Sequence, residues 1–159
     1  MDNMPLIAVF LQSIPEEMVL FSLASVFLGL KMQWKRIIMA AVISAFASYF
    51  VRHLPIYFGM HYFIGLIVNG MLIYYFFHKD FFYSFCTSLI VLGCLFMAEN
   101  IITYPIIYAL GYNGFQEIWD KTLLRIIIAY PSLIVLCIVA WILKVKKYNI
   151  FGQRKSGNE

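Results

Sequence analysis

Residues 123–147 read LLRIIIAYPSLIVLCIVAWILKVKK. Between Leu123 and Leu143 the run holds a single charge, Arg125, and a single proline, Pro131, and it closes on Trp141 and the basic group Lys144, Lys146 and Lys147. At ~1.5 Å rise per residue a helix from Leu123 to Leu143 is about 32 Å long, which matches the hydrocarbon core of a bilayer. A tryptophan followed by lysines marks the place where such a helix leaves the lipid.

The rest of the chain has the same character. Its 159 residues are 63% hydrophobic, 18% aromatic and 13% charged, with a mean hydropathy of +0.83, against roughly 25% charged residues in a soluble domain. One soluble core cannot absorb that much apolar surface, so the solvent is lipid. The net charge of +4 does not point to nucleic acid, because the basic residues gather at the ends of apolar runs rather than along one face. Cys86, Cys94 and Cys137 lie within apolar runs and are odd in number, so no disulfide framework is expected. No cleavable signal peptide is expected either, since no Lys or Arg precedes the first apolar run and Glu16 and Glu17 interrupt it.

The pattern predicts an all-α integral membrane bundle of about five transmembrane helices, at 14–30, 37–53, 60–77, 81–100 and 123–143. Together they form one domain over 1–147, followed by a short basic tail over 148–159. Ser13, Pro15 and Glu16 have the spacing of a helix start, which leaves Pro5 to Gln12 as a membrane-surface or re-entrant piece. Pro55 and Gly59 break the chain after the second span, and His78, Lys79 and Asp80 leave room only for an antiparallel hairpin. The fourth apolar run is too long for one untilted span. The part after Glu99 is a kinked extension, a re-entrant turn or a separate short helix, with Pro105 inside it and Gly111 to Gly114 as its exit. Phe115 to Thr122 is expected to form an interfacial turn.

With the N-terminus outside and the C-terminus in the cytoplasm, nine basic residues fall inside: Lys31, Lys35, Arg36, Lys79, Lys144, Lys146, Lys147, Arg154 and Lys155. Three fall outside, Arg52, Lys121 and Arg125. That asymmetry follows the positive-inside rule and implies a multi-pass protein of the cell (inner) membrane, with lipid as its first partner.

Counted from the cytoplasmic ends of their helices, Glu16, Arg52, Glu99 and Arg125 lie about 21, 24, 28 and 27 Å up at ~1.5 Å per residue. Charges at one depth near the edge of the hydrocarbon turn inward and pair, because a charge facing lipid is costly. The candidate site is therefore an outer-face polar layer of Glu16, Glu17, Arg52, His53, Glu99, Asn100 and Arg125, with His61 at its rim. The competing explanation is charged residues that mark span ends and lock helices together. Ala41 and Ala45 on the second span, and Gly65 and Asn69 on the third, have the spacing of helix-packing positions, with Ser44 and Ser48 beside the alanines.

Catalytic signatures are missing from the sequence. Glu16-Glu17 resembles the paired glutamates of CAAX-type intramembrane proteases, but Phe21 stands where that family has arginine. There is no phosphate loop, dinucleotide-binding glycine pattern, nucleophile elbow or zinc helix, so neither enzyme activity nor a cofactor or metal is expected. Ser13-Ile14-Pro15-Glu16-Glu17, and the run from Ser48 through Arg52, Leu54 and Pro55 to Phe58-Gly59-Met60-His61, are similar to two other groups. One comprises small membrane proteins of Gram-positive spore-forming bacteria; the other is the membrane sensor regions that precede histidine-kinase modules. The resemblance implies a non-enzymatic sensory or regulatory membrane module. Having no kinase domain, it would act through a membrane or cytoplasmic protein partner or a homo-oligomer. A small-solute transporter or substrate-binding subunit is the alternative.

Overall fold

The computed structural model describes residues 6–54, 60–112, 118, 121–148 and 150, with 61 and 122 described by backbone alone. Five helices account for nearly all of these residues: α1 (Leu6–Phe27), α2 (Trp34–His53), α3 (Met60–Phe77), α4 (Phe81–Ala109) and α5 (Thr122–Val145). The fold is an all-helical bundle. Four of the helices, α1, α2, α4 and α5, are long and apolar enough to cross a membrane, and α3 adds a shorter apolar helix. Pro55, Gly59, the ring of His61, Glu117, Trp119, Asp120 and the tail beyond Ile150 lie outside the described residues.

One boundary differs from the sequence reading and a second selects the kinked extension among its alternatives, and both involve proline. The first helix begins at Leu6 rather than at Ile14, because Ser13 has helical angles (φ −66°, ψ −42°) and its side chain makes no capping bond. Pro15 is accommodated inside the helix by a π turn over Val9–Ser13, after which the Ile14 N–H bonds the Val9 carbonyl. The fourth helix likewise runs on to Ala109 through a π turn over Glu99–Thr103, where the Tyr104 N–H bonds the Glu99 carbonyl just ahead of Pro105. A proline lacks an N–H and crowds the carbonyl four residues back; in lipid, local π geometry and neighbouring side chains restore the missing bonds. Leu11, four residues before Pro15, shows this directly, since its carbonyl accepts a 2.8 Å hydrogen bond from the Tyr130 hydroxyl on α5.

The other ends obey ordinary rules. At Gly29 (φ +65°) α1 stops, with Leu30 N–H on the Ser25 carbonyl and Gly29 N–H on the Val26 carbonyl, the paired bonds of a Schellman cap. Gly111 (φ +82°) ends α4 in the same way. The α3–α4 hairpin turns through His78 (φ +50°), and these two helices make the most extensive pairing in the bundle.

α1 is the central element. It packs on α2, α4 and α5 and touches α3, and over half of it is buried, against under a third of α2 or α4. Because lipid tails are as apolar as the side chains, tight packing of small residues has to hold the helices together. Ala40, Ala41, Ser44 and Ala45 of α2 are all buried. Gly70 sits so close to α4 that an added Cβ would lie 2.8 Å from the Phe85 ring, and Ser88 of α4 donates to the Leu66 carbonyl of α3 at 3.1 Å.

Both loops in which successive helices turn tightly, Leu28 to Gln33 and His78 to Asp80, lie at one end, together with the last turn of α5. There Arg36 Nη1 donates to the Phe76 carbonyl at 3.0 Å and the Ile150 N–H donates to the Phe27 carbonyl at 3.0 Å. This is the basic end. The opposite, polar end holds the N-terminal halves of α1, α3 and α5 and the C-terminal halves of α2 and α4.

Candidate functional site

At the polar end, four helices bring charges together. Glu16 of α1 interacts electrostatically with Arg52 of α2 and Arg125 of α5. Glu99 of α4 interacts with Glu16 and with the same two arginines. Arg125 is buried, with 5% of its surface exposed, and Glu16, Arg52 and Glu99 are half-buried. Two carboxylates thus face two guanidiniums in a region poor in water, where opposite charges attract far more strongly than they do in bulk solvent.

Glu17 takes a different direction from its neighbour, because consecutive helical residues point about 100° apart. Its carboxyl group faces Ser44 and Asn69, and Ser44 Oγ donates to Asn69 Oδ1 at 2.7 Å. The three residues tie α1, α2 and α3 into one buried polar triad. Glu17 is only 9% exposed, and its Oε2 atom is buried with no hydrogen-bond partner.

Between the triad and the charge cluster lies a cavity of about 70 Å³, bounded by α1 to α4. Glu16, Glu17, Ser48, Arg52, Tyr62 and Asn69 supply its polar wall; Leu20, Val51, Ile64, Val68, Leu92 and Leu95 supply the apolar remainder. Tyr62 interacts electrostatically with Glu99, Arg52 and Glu16. Gly65 borders the cavity too, and nothing stands within 4 Å of where its Cβ would be. Expected on a packing face, it instead keeps a space open; Asn69, one turn on, does bridge helices.

Two expected members of the polar layer face elsewhere. Asn100 is exposed and donates to the Phe96 carbonyl of its own helix at 2.7 Å. His53 is exposed, with Nδ1 2.8 Å from the Tyr49 carbonyl and its ring 4.4 Å from that of Tyr49. Each comes one position after a cluster residue, and the same 100° step that separates Glu16 from Glu17 turns it away.

Sequence reasoning passes over Gln12 and Thr103, both buried, with Gln12 Oε1 and Thr103 Oγ1 making no hydrogen bond among the described residues. Their signal in the sequence is that they are polar residues within apolar runs, Gln12 four residues before Glu16 and Thr103 four after Glu99. Tyr62 is legible only as an interfacial aromatic.

Among the described residues no three His, Cys, Asp or Glu side chains converge as a metal site requires. The arrangement is suited to binding and to electrostatic coupling between helices: a small cavity with an apolar lining, one buried carboxylate reaching into it, and a paired charge cluster beside it. Comparison with protein-family models, curated proteins and solved structures finds no match for this chain.

Proposed function

We propose that the protein is a non-enzymatic sensor or regulatory module of the cell membrane. In this reading its five helices all cross the bilayer, with the polar end outside and the basic end in the cytoplasm, and it acts through a protein partner. The observation that carries it is the span of α1. This one central helix presents Glu16 and Glu17 to the cavity and charge cluster, and at its other end its Phe27 carbonyl receives the Ile150 N–H of the tail. A change in the cavity is felt by the same rigid element that seats the tail, which is the physical connection a two-ended device needs.

The basic residues at the tail end support the orientation, since an excess of Lys and Arg marks the cytoplasmic side. They also offer a surface for a partner bearing acidic groups. The test is chemical cross-linking in native membranes with detection by mass spectrometry. A defined hetero- or homo-complex cross-linked through the Lys31 to Arg36 loop or the tail is the expected result, and a clean monomer overturns the proposal.

A further inference from the structure

The charge balance around the cavity is uneven. Glu16 and Glu99 face Arg52 and Arg125, two against two, and Glu17 is a fifth ionisable group, buried, in the cavity lining, with an Oε2 atom that makes no hydrogen bond. Arg52, which also lines the cavity, attracts Glu17 as well as Glu16 and Glu99, so three carboxyl groups share two guanidiniums; a surplus carboxylate in a lipid-embedded bundle is costly and needs a proton or a further positive charge beside it. The cavity beside Glu17 has room for about two waters at ~30 Å³ each, or for one small cation.

We infer that this cavity is a binding site for a primary ammonium group carrying a short apolar body. The inference rests on the sensor reading above and names the ligand class of its polar end. An ammonium has three donors, and the wall offers three acceptors in the Glu17 carboxylate, the Glu16 carboxylate and the Ser48 hydroxyl. Tyr62 adds an aromatic ring of the type that attracts cations. Leu20, Val68 and Leu92 suit a short alkyl chain. A divalent metal fits poorly, because it requires about six oxygen ligands or a converging His, Cys or carboxylate set, and no such set occurs among the described residues. The ammonium can come from a free amine or from the headgroup of an aminophospholipid, and the chemistry at Glu17 is the same for both.

The test uses the full-length protein in nanodiscs of phosphatidylcholine, titrated with ethylammonium chloride, sodium chloride or ethanol, with thermal unfolding as the readout. Saturable stabilisation by ethylammonium alone is expected, weakened about tenfold or more in Glu17→Gln, equivalent to ~1.4 kcal/mol. Gly65→Leu leaves every charge in place and fills the cavity, where a Cβ meets nothing within 4 Å; it should abolish the effect. Gly93→Leu, at another glycine whose Cβ would meet nothing but which does not line the cavity, should retain it. Repeating the titration in nanodiscs containing phosphatidylethanolamine assigns the source: competition by that lipid indicates a headgroup, and an unchanged titration indicates a free amine.

No saturable shift with ethylammonium, equal shifts with sodium, or full binding by Gly65→Leu each overturns the inference, the first meaning that Glu17 is held neutral by a proton. Should Glu17→Gln fail to fold, the two glycine variants decide. Failure here leaves the cross-linking test of the partner untouched, so the two proposals fail separately.

Discussion

Tyr130→Phe removes one oxygen atom and should destabilise the protein through a backbone group 119 positions away in sequence. The Tyr130 hydroxyl holds the Leu11 carbonyl at 2.8 Å, and Leu11 is the residue whose carbonyl an N–H at position 15 would take in an α-helix, had Pro15 possessed one. Leu11 and Tyr130 are 43% and 37% exposed on the outer surface of the bundle, so their surroundings are lipid or the lipid–water boundary. A net hydrogen bond is worth about 1 kcal/mol, and a carbonyl orphaned away from water costs ~1–3 kcal/mol. Leu11 sits near the end of its span, where water can partly replace the lost donor, so the expected loss is about 1 kcal/mol.

A second change isolates the cause. Pro15→Ala supplies the missing N–H, which in α register falls to the same carbonyl, and in that background Tyr130→Phe should cost at most about half as much, a coupling of ~0.5 kcal/mol or more. Equilibrium unfolding in mixed micelles, with all four members of the cycle compared, measures it. Equal costs in the two backgrounds, within ~0.3 kcal/mol, would refute the idea that the tyrosine substitutes for the proline's absent donor.

The packing and the charges give further expected outcomes. Gly70→Ala should destabilise by about 1–3 kcal/mol, because the new methyl meets the Phe85 ring at 2.8 Å, whereas Gly65→Ala should change stability little; the same unfolding assay compares them. Arg125→Leu leaves Glu16 and Glu99 facing Arg52 alone and should cost about 3–5 kcal/mol; a loss below ~1 kcal/mol would make Arg125 a mere span-end marker. In a background lacking the native cysteines, Leu54→Cys should be labelled by an impermeant maleimide on intact cells and Lys79→Cys only after permeabilisation; the reverse pattern inverts the proposed orientation.

That Glu16, Arg52, Glu99 and Arg125 come together at one end of the bundle is legible in the sequence for a definite reason. The four are each counted from the basic end of a helix, and apart from the cap over Leu28 to Leu30 the counted segments are α-helix, so ~1.5 Å per residue applies to nearly all of the count. Both π turns lie on the far side of the counted segments: Val9–Ser13 precedes Glu16, and Glu99–Thr103 begins at Glu99 itself. Beyond them the same arithmetic fails. That is why the start of α1 escapes a sequence reading and the stretch after Glu99 is left between a kinked extension, a re-entrant turn and a separate helix, while the end of α1 near Gly29 and the α3–α4 hairpin are plain. Azimuth is the second blind spot. A depth count places Asn100 and His53 in the layer, and only the 100° step per residue takes them out of it.

The two π turns also explain why the polar end is built as it is. Each lies two residues ahead of a proline, and both pack on α5, the helix that carries Arg125. A π turn inserts one residue and so rotates the helical segment before it by about 100° relative to the segment after it. Gln12 and Ser13 lie within the first turn and are buried. Within the second, Thr103 is buried while Asn100 is exposed. Both turns adjoin a proline, and through them the residues flanking Glu16 and Glu99 pack on the helix that carries Arg125. Span-end charges that merely mark a boundary can reach water from any azimuth; Arg125, only 5% exposed, is instead turned into the bundle toward both carboxylates, which is the strongest reason to treat the cluster as a positioned site.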